Sequence, residues 1–228
     1  MARGGEQHIP RPEKWRVAGT SPWWNRDLSV LRSFDELTSV LEQRIAGRTP
    51  SIHIPAFVPA DIAGSSRSSA VLIALHDTPD GPSVVLTRRT KNLSSHKGEM
   101  SFPGGRVEEG ESVTDAAMRE AHEEVGLHPS LVNCVGELDG LSTMVSRSRI
   151  HPIVATVETM PVLVPNLAEV DRIVHVPLAE LAHHETYRRE QWNRNGDDID
   201  IHFFEIEGDT VWGATGRMLH QLIDIVTA

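Results

Sequence analysis

Three glutamates with helical spacing are the residues of this chain best placed to do chemistry. Glu120, Glu123 and Glu124 stand at positions i, i+3 and i+4 of a segment, residues 112–125, that is predicted to be helical. At this spacing Glu120 and Glu124 project from one face of the helix, with Glu123 beside them. Each like-charged pair destabilises an isolated helix by roughly 0.2–0.5 kcal/mol, so something must compensate the charges.

A hard divalent cation is the compensation that these carboxylates favour. The only basic residue near them is Arg119, whereas a solvated cluster of glutamates on a helix surface is usually interleaved with lysine or arginine. Neither cysteine nor a pair of histidines is offered at the spacing of a softer metal, and carboxylate oxygens suit Mg²⁺ or Mn²⁺. The pattern therefore predicts an Mg²⁺ site, with Mn²⁺ as an alternative.

A basic segment precedes the acidic helix. Residues 87–98 carry no carboxylate, although the whole chain has 22 lysines and arginines against 32 aspartates and glutamates and a net charge of −10. Such a segment would ordinarily be a solvated loop, but its position beside the glutamates favours the binding of an anionic substrate. Gly104 and Gly105 follow it and permit close approaches that a side chain would prevent. The basic residues of the segment are Arg88, Arg89, Lys91, His96 and Lys97.

Strands mixed with few helices are predicted to position these groups. The acidic helix stops at Gly126, which is followed by Pro129. Two strand-like runs upstream, residues 70–76 and 83–88, flank a turn rich in proline and glycine and predict a hairpin. The order of elements predicts an α+β fold, an α/β/α sandwich around a mixed sheet. Further strands are predicted at residues 131–138, 149–157, 172–176 and 199–206, and shorter helices at residues 178–183 and 214–226.

Residues 1–66 are predicted to be an N-terminal extension that precedes a domain at residues 67–228. The extension contains one amphipathic helix at about residues 33–46, where Ser33 and Glu36 form a capping-box pattern. Its tryptophans Trp15, Trp23 and Trp24 either cover an exposed sheet edge or build a homodimer interface, and the sequence leaves both readings open.

Composition excludes several classes of protein. The acidic balance disfavours a general nucleic-acid or membrane-surface binder and favours a small-molecule ligand. Apolar runs are far shorter than the ~20 residues that cross a bilayer, and the first residues lack the apolar block of a signal peptide, so a cytoplasmic location is the default expectation. Cys134 is the single cysteine, which excludes an internal disulfide, and it is predicted to be a small buried apolar residue.

The segment from Gly105 to Leu127 resembles the Nudix box at every specified position. This 23-residue pattern is far more specific than a short glycine motif. The matching residues are Gly105, five residues, Glu111, seven residues, Arg119, Glu120, the aliphatic Ala121, one residue, Glu123, Glu124, one residue, Gly126 and the aliphatic Leu127.

The resemblance implies a hydrolase that splits diphosphate linkages in nucleotide derivatives with a divalent metal. It implies a loop–helix–loop held against a mixed sheet, with Glu120 and Glu124 as metal ligands and Glu123 as a ligand or an assistant. Glu111 and Arg119 would form a structural ion pair that fixes the loop to the helix.

A second resemblance narrows the substrate to coenzyme A or its thioesters. The residues before the box are similar to the signature of the coenzyme A pyrophosphatase branch of the Nudix superfamily. That signature expects serine or alanine where this chain has Thr90, and a basic residue where it has Ser94; only arginine offers a fork of donors suited to phosphate. The residues that carry the resemblance are Leu86-Thr87-Arg88-Arg89-Thr90, Gly98 and Phe102-Pro103-Gly104-Gly105.

These resemblances assign roles and leave alternatives. Arg89 and Lys97 would neutralise a substrate phosphate, with Arg88, Gly104 and Gly105 also in the substrate site. Glu123 is the first candidate for the general base, and Glu169, on a predicted loop, is the second. The alternatives are a Nudix hydrolase of ADP-ribose, dinucleotides or (oxidised) nucleoside triphosphates, a non-catalytic ligand-binding regulator, and an isomerase on the same fold.

Overall fold

The computed structural model of the protein describes residues 9–19, 21–54, 67–91, 96–142, 148–194 and 196–228. Its strands are β1 (Trp15–Val17), β2 (Ile52–His53), β3 (Ser68–His76), β4 (Ser83–Arg89), β5 (Met100–Ser101), β6 (Gly104–Arg106), β7 (Val132–Glu137), β8 (Gly140–Ser142), β9 (Arg149–Val157), β10 (Val170–Pro177), β11 (Tyr187–Arg194), β12 (Asp197–Ile206) and β13 (Asp209–Val211). Its α-helices are α1 (Phe34–Arg44), α2 (Val113–Val125), α3 (Leu178–Leu181) and α4 (Gly213–Val226).

A large mixed sheet forms the centre of the fold. Its strands lie in the order β10-β4-β3-β9-β8-β2, with β5 added to β4, β6 to β3 and β7 to β9. The long strands β3 and β9 run parallel, whereas β4 is antiparallel to both β3 and β10. The short β6 pairs with β3, which places Gly104 and Gly105 directly against the middle of the sheet.

β3 separates two apolar layers because its side chains alternate between the faces of the sheet. Ala70, Leu72 and Ala74 face the layer that contains the buried side of α2. Ile73 and Leu75 face the opposite layer, where α1 and α4 pack. Burial of each large aliphatic side chain contributes roughly 1.5–3 kcal/mol. Helices therefore cover both faces of a mixed sheet, and the predicted α+β sandwich is confirmed.

The N-terminal segment is joined to a second, antiparallel sheet in the order β1-β11-β12-β13. Arg11 donates to both carboxylate oxygens of the buried Glu190 on β11, at 2.8 and 2.7 Å. Trp23 is fully buried, with its ring centroid 4.9 Å from that of Tyr187. Trp24 is largely exposed and Trp15 is partly so. The described part of the extension thus contributes to the main core, and the boundary at residue 66 stays a prediction.

Most predicted elements are present; two predictions need correction, and one long strand was not predicted. The hairpin of β3 and β4 and the strand at residues 149–157 are confirmed. The helix expected at residues 178–183 ends at Leu181. The strand β11 was not predicted, because its buried apolar residues, Tyr187 and Trp192, lie on opposite faces and show no alternating pattern. Cys134 is exposed rather than buried, because it lies on β7 at the edge of the sheet.

Within the described residues, the structure contains no helix that is both long and apolar enough to cross a membrane.

Candidate active site

The helix α2 carries the three glutamates, and both of its ends are capped. The side chain of Ser112 accepts a hydrogen bond from the backbone N–H of Asp115 at 3.1 Å. At the other end Gly126 adopts a left-handed conformation, with φ of 71°, and its N–H donates to the carbonyl of His122. Such caps offset the unpaired backbone groups of the helix termini. The caps therefore fix where the helix that carries the glutamates begins and ends.

Glu124 is a buried carboxylate that faces the loop before β6. Only 3% of its side chain is exposed. Its Oε2 accepts a hydrogen bond from the backbone N–H of Gly104 at 3.2 Å, and its Oε1 lies 3.6 Å from Nη1 of Arg89. The pKa of Glu124 is raised to about 7, mainly by burial; the hydrogen bond from Gly104 and the charge of Arg89 act to lower this pKa, and the charges of Glu169 and Glu120 act to raise it. An ionised carboxylate in this place calls for a nearby cation.

Glu120 lies one turn earlier, against the backbone of Gly105. A β-carbon on Gly105 would come within 2.4 Å of the Glu120 carboxylate. Burial raises the pKa of Glu120, the contact with Arg119 lowers it, and the charges of Glu123 and Glu169 raise it. The absence of a side chain on Gly105 is thus what makes room for this carboxylate.

Arg119 connects the helix to the preceding loop. Its Nε and Nη2 contact the two carboxylate oxygens of Glu111 at 2.9 and 3.1 Å, and Nη2 also donates to the carbonyl of Arg106 at 3.0 Å. Its Nη1 lies 3.0 Å from Glu120 and 3.2 Å from Glu123. The ion pair of Glu111 and Arg119 is therefore formed, and its structural role stays a prediction.

The two candidates for the general base lie in different surroundings. Glu123 is 56% exposed and pairs with Arg119. Glu169 lies on the segment before β10, where its carbonyl accepts a hydrogen bond from the N–H of Thr90 at 2.8 Å. Its negative charge raises the pKa of both Glu120 and Glu124. Glu169 is thus within electrostatic reach of the two inner carboxylates.

The basic residues do not all reach the glutamates. Arg89 lies beside Glu124, and its Nε is buried without a hydrogen-bond partner among the described residues. Arg88, the preceding residue on β4, instead contacts Asp171 at 2.8 Å and Asp209 at 3.4 Å. Lys97 is exposed. Ser94 lies outside the described residues.

His96 lies near the C-terminal end of the basic segment, residues 87–98. Its Nδ1 lies 2.7 Å from Glu99, and that contact raises the pKa of the imidazole. Glu99 is the first acidic residue after this segment, and its carboxylate partly balances the charge of a protonated His96.

The donor set suits a hard cation. Glu120 and Glu124 supply only carboxylate oxygens, which Mg²⁺ and Mn²⁺ prefer. In the described part of the chain no group of three or more histidine, cysteine, aspartate or glutamate side chains is close enough to hold an ion. Arg119 accounts for part of this, because it holds Glu123 and one oxygen of Glu120. The residues present fit a divalent ion held mainly by two carboxylates.

The sequence did not indicate the partners of Arg88 or the backbone contact of Gly104. Asp171 and Asp209 meet Arg88 only because β10 and β13 are brought to β4 by the fold. The two glycines were singled out in the sequence as places of close approach. The structure shows that Gly104 also donates to Glu124.

Comparison with known proteins gives a consistent family. The model of the Nudix domain matches residues 66–197. The chain is 34% identical over 203 residues to Nudix hydrolase 22, chloroplastic, of Arabidopsis thaliana, covering 85% of this chain and 67% of that protein. It is 33% identical to the uncharacterized Nudix hydrolase NudL of Photorhabdus laumondii, covering 72% of this chain and 87% of that protein. A crystal structure of the Nudix hydrolase RenU from M. smegmatis is 23% identical, with a TM-score of 0.44 over 50% of this chain and 73% of that one.

Proposed function

This chain belongs to the Nudix family of pyrophosphate-bond hydrolases, and we propose that its substrate is coenzyme A or a coenzyme A thioester. Hydrolysis of the diphosphate linkage would give 3′,5′-ADP and 4′-phosphopantetheine. One observation carries the proposal: Arg89, which matches the arginine of the coenzyme A signature, lies beside the buried Glu124 with an Nε that has no partner among the described residues. A guanidinium so placed has donors left for a phosphate.

Glu120 and Glu124 would hold the divalent ion, with Glu123 as a further ligand or an assistant, and Mg²⁺ is the ion we propose, with Mn²⁺ as the alternative. When bound, such an ion neutralises diphosphate oxygens and lowers the pKa of a water molecule. The buried position of Glu124 supports this assignment, because an uncompensated carboxylate there is costly.

The residues of the chain supply positioning and a proton acceptor. Arg89 would bind a phosphate oxygen and hold the diphosphate beside Glu124. The water oxygen forms a bond to phosphorus while the bridging P–O bond breaks, and the leaving phosphate keeps that electron pair. We propose that Glu169, rather than Glu123, accepts the proton of the water molecule. Glu123 is exposed and pairs with Arg119, whereas the charge of Glu169 influences the pKa values of both Glu120 and Glu124.

The additional 3′-phosphate of coenzyme A is what the basic segment would recognise. Lys97 is exposed, and its long, flexible side chain can bring the ammonium group to the 3′-phosphate of the substrate. Gly104 and Gly105 also belong to the proposed substrate site; the space that their side chains would take is filled by β3 and by the Glu120 carboxylate.

Ser94 favours a second candidate substrate class, because it stands where the coenzyme A signature has a basic residue. The same site would then act on ADP-ribose, a dinucleotide or an (oxidised) nucleoside triphosphate. A ligand-binding regulator without catalysis is disfavoured, because all the glutamates and the Glu111–Arg119 pair are present.

The proposal is tested with purified protein, Mg²⁺ or Mn²⁺, and a panel of coenzyme A, NADH, ADP-ribose and 8-oxo-dGTP. Chromatography identifies the products, and Glu124→Gln serves as the inactive control. Release of 3′,5′-ADP and 4′-phosphopantetheine by the wild type only, faster than any other product, supports the proposal. Faster turnover of another nucleotide would assign the second candidate.

A further inference from the structure

β10 carries an irregularity where it approaches the glutamates. Val170 is aligned with Arg89 and Arg172 with Arg88, so β10 advances by two residues where β4 advances by one. The extra residue, Asp171, makes this a β-bulge, a feature that re-aims side chains and is over-represented beside active sites. Glu169 lies only two residues from it.

Arg88 holds the bulge. Its Nε and Nη2 lie 2.9 and 2.8 Å from the Asp171 carboxylate. Its Nη1 lies 3.4 Å from Asp209 on β13, a nearly buried carboxylate that is also 3.3 Å from Arg172. Asp171 and Arg172 therefore both turn toward the side of Arg88 and Asp209, whereas neighbours in a regular strand point to opposite faces.

The bulge lies just after the turn that ends at Glu169, because Val170 is the first residue of β10. A shift of one residue along a strand changes which face the residues beyond it occupy. The bulge therefore sets the register at which Val170, and with it the end of this turn, meets Arg89. With the bulge in place, the carbonyl of Glu169 accepts the N–H of Thr90 at 2.8 Å, one residue beyond Arg89. The same turn of the chain brings the charge of Glu169 within reach of Glu120 and Glu124.

We propose that Asp171 is a positioning residue, which through Arg88 fixes the bulge of β10 and thereby the place of the Glu169 carboxylate opposite α2. The inference rests on the proposed function, in which Glu169 accepts a proton. It also gives Arg88 a role different from the phosphate binding that the sequence predicted, since both ends of its guanidinium are engaged by carboxylates.

The chain offers a closely matched control. The ion pair of Arg26 and Asp224 has an N–O distance of 2.9 Å and side chains that are 30% and 46% exposed, against 2.8 Å, 31% and 51% for Arg88 and Asp171. Asp224 lies on α4, which packs in the apolar layer on the opposite face of the sheet from α2. Asp224→Asn therefore removes an equivalent surface ion pair without touching the bulge.

The first test needs neither metal nor turnover. Hydrogen exchange of the Thr90 amide, measured in the metal-free protein, reports on its bond to Glu169. We expect Asp171→Asn to accelerate this exchange about tenfold, whereas Asp224→Asn leaves it unchanged and Asp171→Glu restores part of the protection. Exchange in Asp171→Asn that equals exchange in the wild type would overturn the proposal.

The second test is kinetic. Asp171→Asn should lower kcat about tenfold with little change in KM, because the loss is one of geometry. In a Glu169→Gln background the same substitution should have no further effect, since its target is already removed. A full tenfold loss in that background would contradict the inference. If the wild type cleaves none of the diphosphate substrates, the proposed function fails, and the exchange result still decides whether Asp171 holds the strand.

Discussion

The carboxylate of Glu120 rests against the α-carbon of Gly105, in space that a single methyl group would fill. A β-carbon at position 105 would come within 2.4 Å of it. The position of the Glu120 side chain on α2 therefore requires glycine at position 105 on β6.

Gly105→Ala should displace the Glu120 side chain and reduce kcat by roughly 100-fold, as expected for a misplaced catalytic group. The melting temperature should change little, because the displaced group is the end of a flexible side chain. Gly136→Ala is the matched control: its β-carbon would meet the backbone oxygen of Ile45 at 2.8 Å, so it should lower the melting temperature and keep kcat. Equal effects of the two variants on kcat would contradict this account.

Glu120→Gln and Glu124→Gln should each lower turnover by roughly 100-fold or more at limiting Mg²⁺, because each removes an ion ligand. Without metal their melting temperatures should be unchanged or slightly higher than that of the wild type, since each substitution also removes a half-buried or buried charge. Initial rates at limiting Mg²⁺ measure the first effect, and melting curves without metal measure the second. Near-full turnover by both variants would refute the assignment of the ion.

Glu111→Gln should behave in the opposite way, because Glu111 contacts Arg119 through both carboxylate oxygens and approaches neither inner glutamate directly. We expect the melting temperature to fall by a few degrees while most turnover remains. Thermal melts and initial rates on the same preparation separate the two. An unchanged melting temperature with complete loss of turnover would place Glu111 in the catalytic set.

Acid should lower the stability of the protein through a histidine pair of which one member, His202, is buried and the other, His220, is partly buried. The imidazoles of His202 and His220 stack with centroids 3.9 Å apart. The pKa of His202 is lowered to about 3 and that of His220 to about 4, in both cases mainly by burial. The positive charges of Arg217 and Arg189 also act to lower both pKa values, whereas the charge of Asp224 acts to raise the pKa of His220. The unfolded chain, with histidine pKa values of about 6.5, then binds protons that the folded chain does not.

The stability that this pair confers is therefore fully present above about pH 6.5 and is lost as the pH falls from there toward about 4. His220→Gln should flatten the dependence of the unfolding free energy on pH in this window, measured by denaturant titration. His184→Gln removes an exposed imidazole and serves as the control. A wild-type slope in His220→Gln would show that the pair does not titrate in this way.

Recognition of the 3′-phosphate predicts a specific difference between substrates. Dephospho-coenzyme A should show a higher KM than coenzyme A with the wild type, because Lys97 then has no 3′-phosphate to bind. Lys97→Ala should abolish that difference, whereas Arg89→Ala should impair both substrates alike, since both carry the diphosphate. Steady-state kinetics of both substrates with each variant make the comparison. A difference that persists in Lys97→Ala would assign the recognition to other residues.

The sequence predicted the parts of the site that lie within one continuous motif. Ser112, Gly126 and the spacing of the glutamates define α2 through local rules of capping and periodicity, and the helix is found at Val113–Val125. The two glycines before it were marked by their position, and the structure shows what they accommodate.

Features that depend on pairing between distant strands were not predictable in this way. Asp171 and Asp209 reach Arg88 only through the bulge of β10 and the placement of β13, and no local pattern reports either. β11 was missed because its buried apolar residues, Tyr187 and Trp192, are separated by four polar residues, among them the buried Glu190 that pairs with Arg188. Cys134 was assigned to the core because apolar neighbours do not distinguish an edge strand from a central one.

The most direct test of the account is an internal competition between substrates. Wild-type protein with Mg²⁺ is given equal concentrations of coenzyme A and ADP-ribose in one reaction, and the disappearance of each is followed by chromatography, which yields the ratio of their kcat/KM values. We expect coenzyme A to be consumed first, with 3′,5′-ADP and 4′-phosphopantetheine as products, and Glu124→Gln to consume neither substrate at a comparable rate. Preferential consumption of ADP-ribose would contradict the proposed substrate, and consumption of both at full rate by Glu124→Gln would contradict the proposed site.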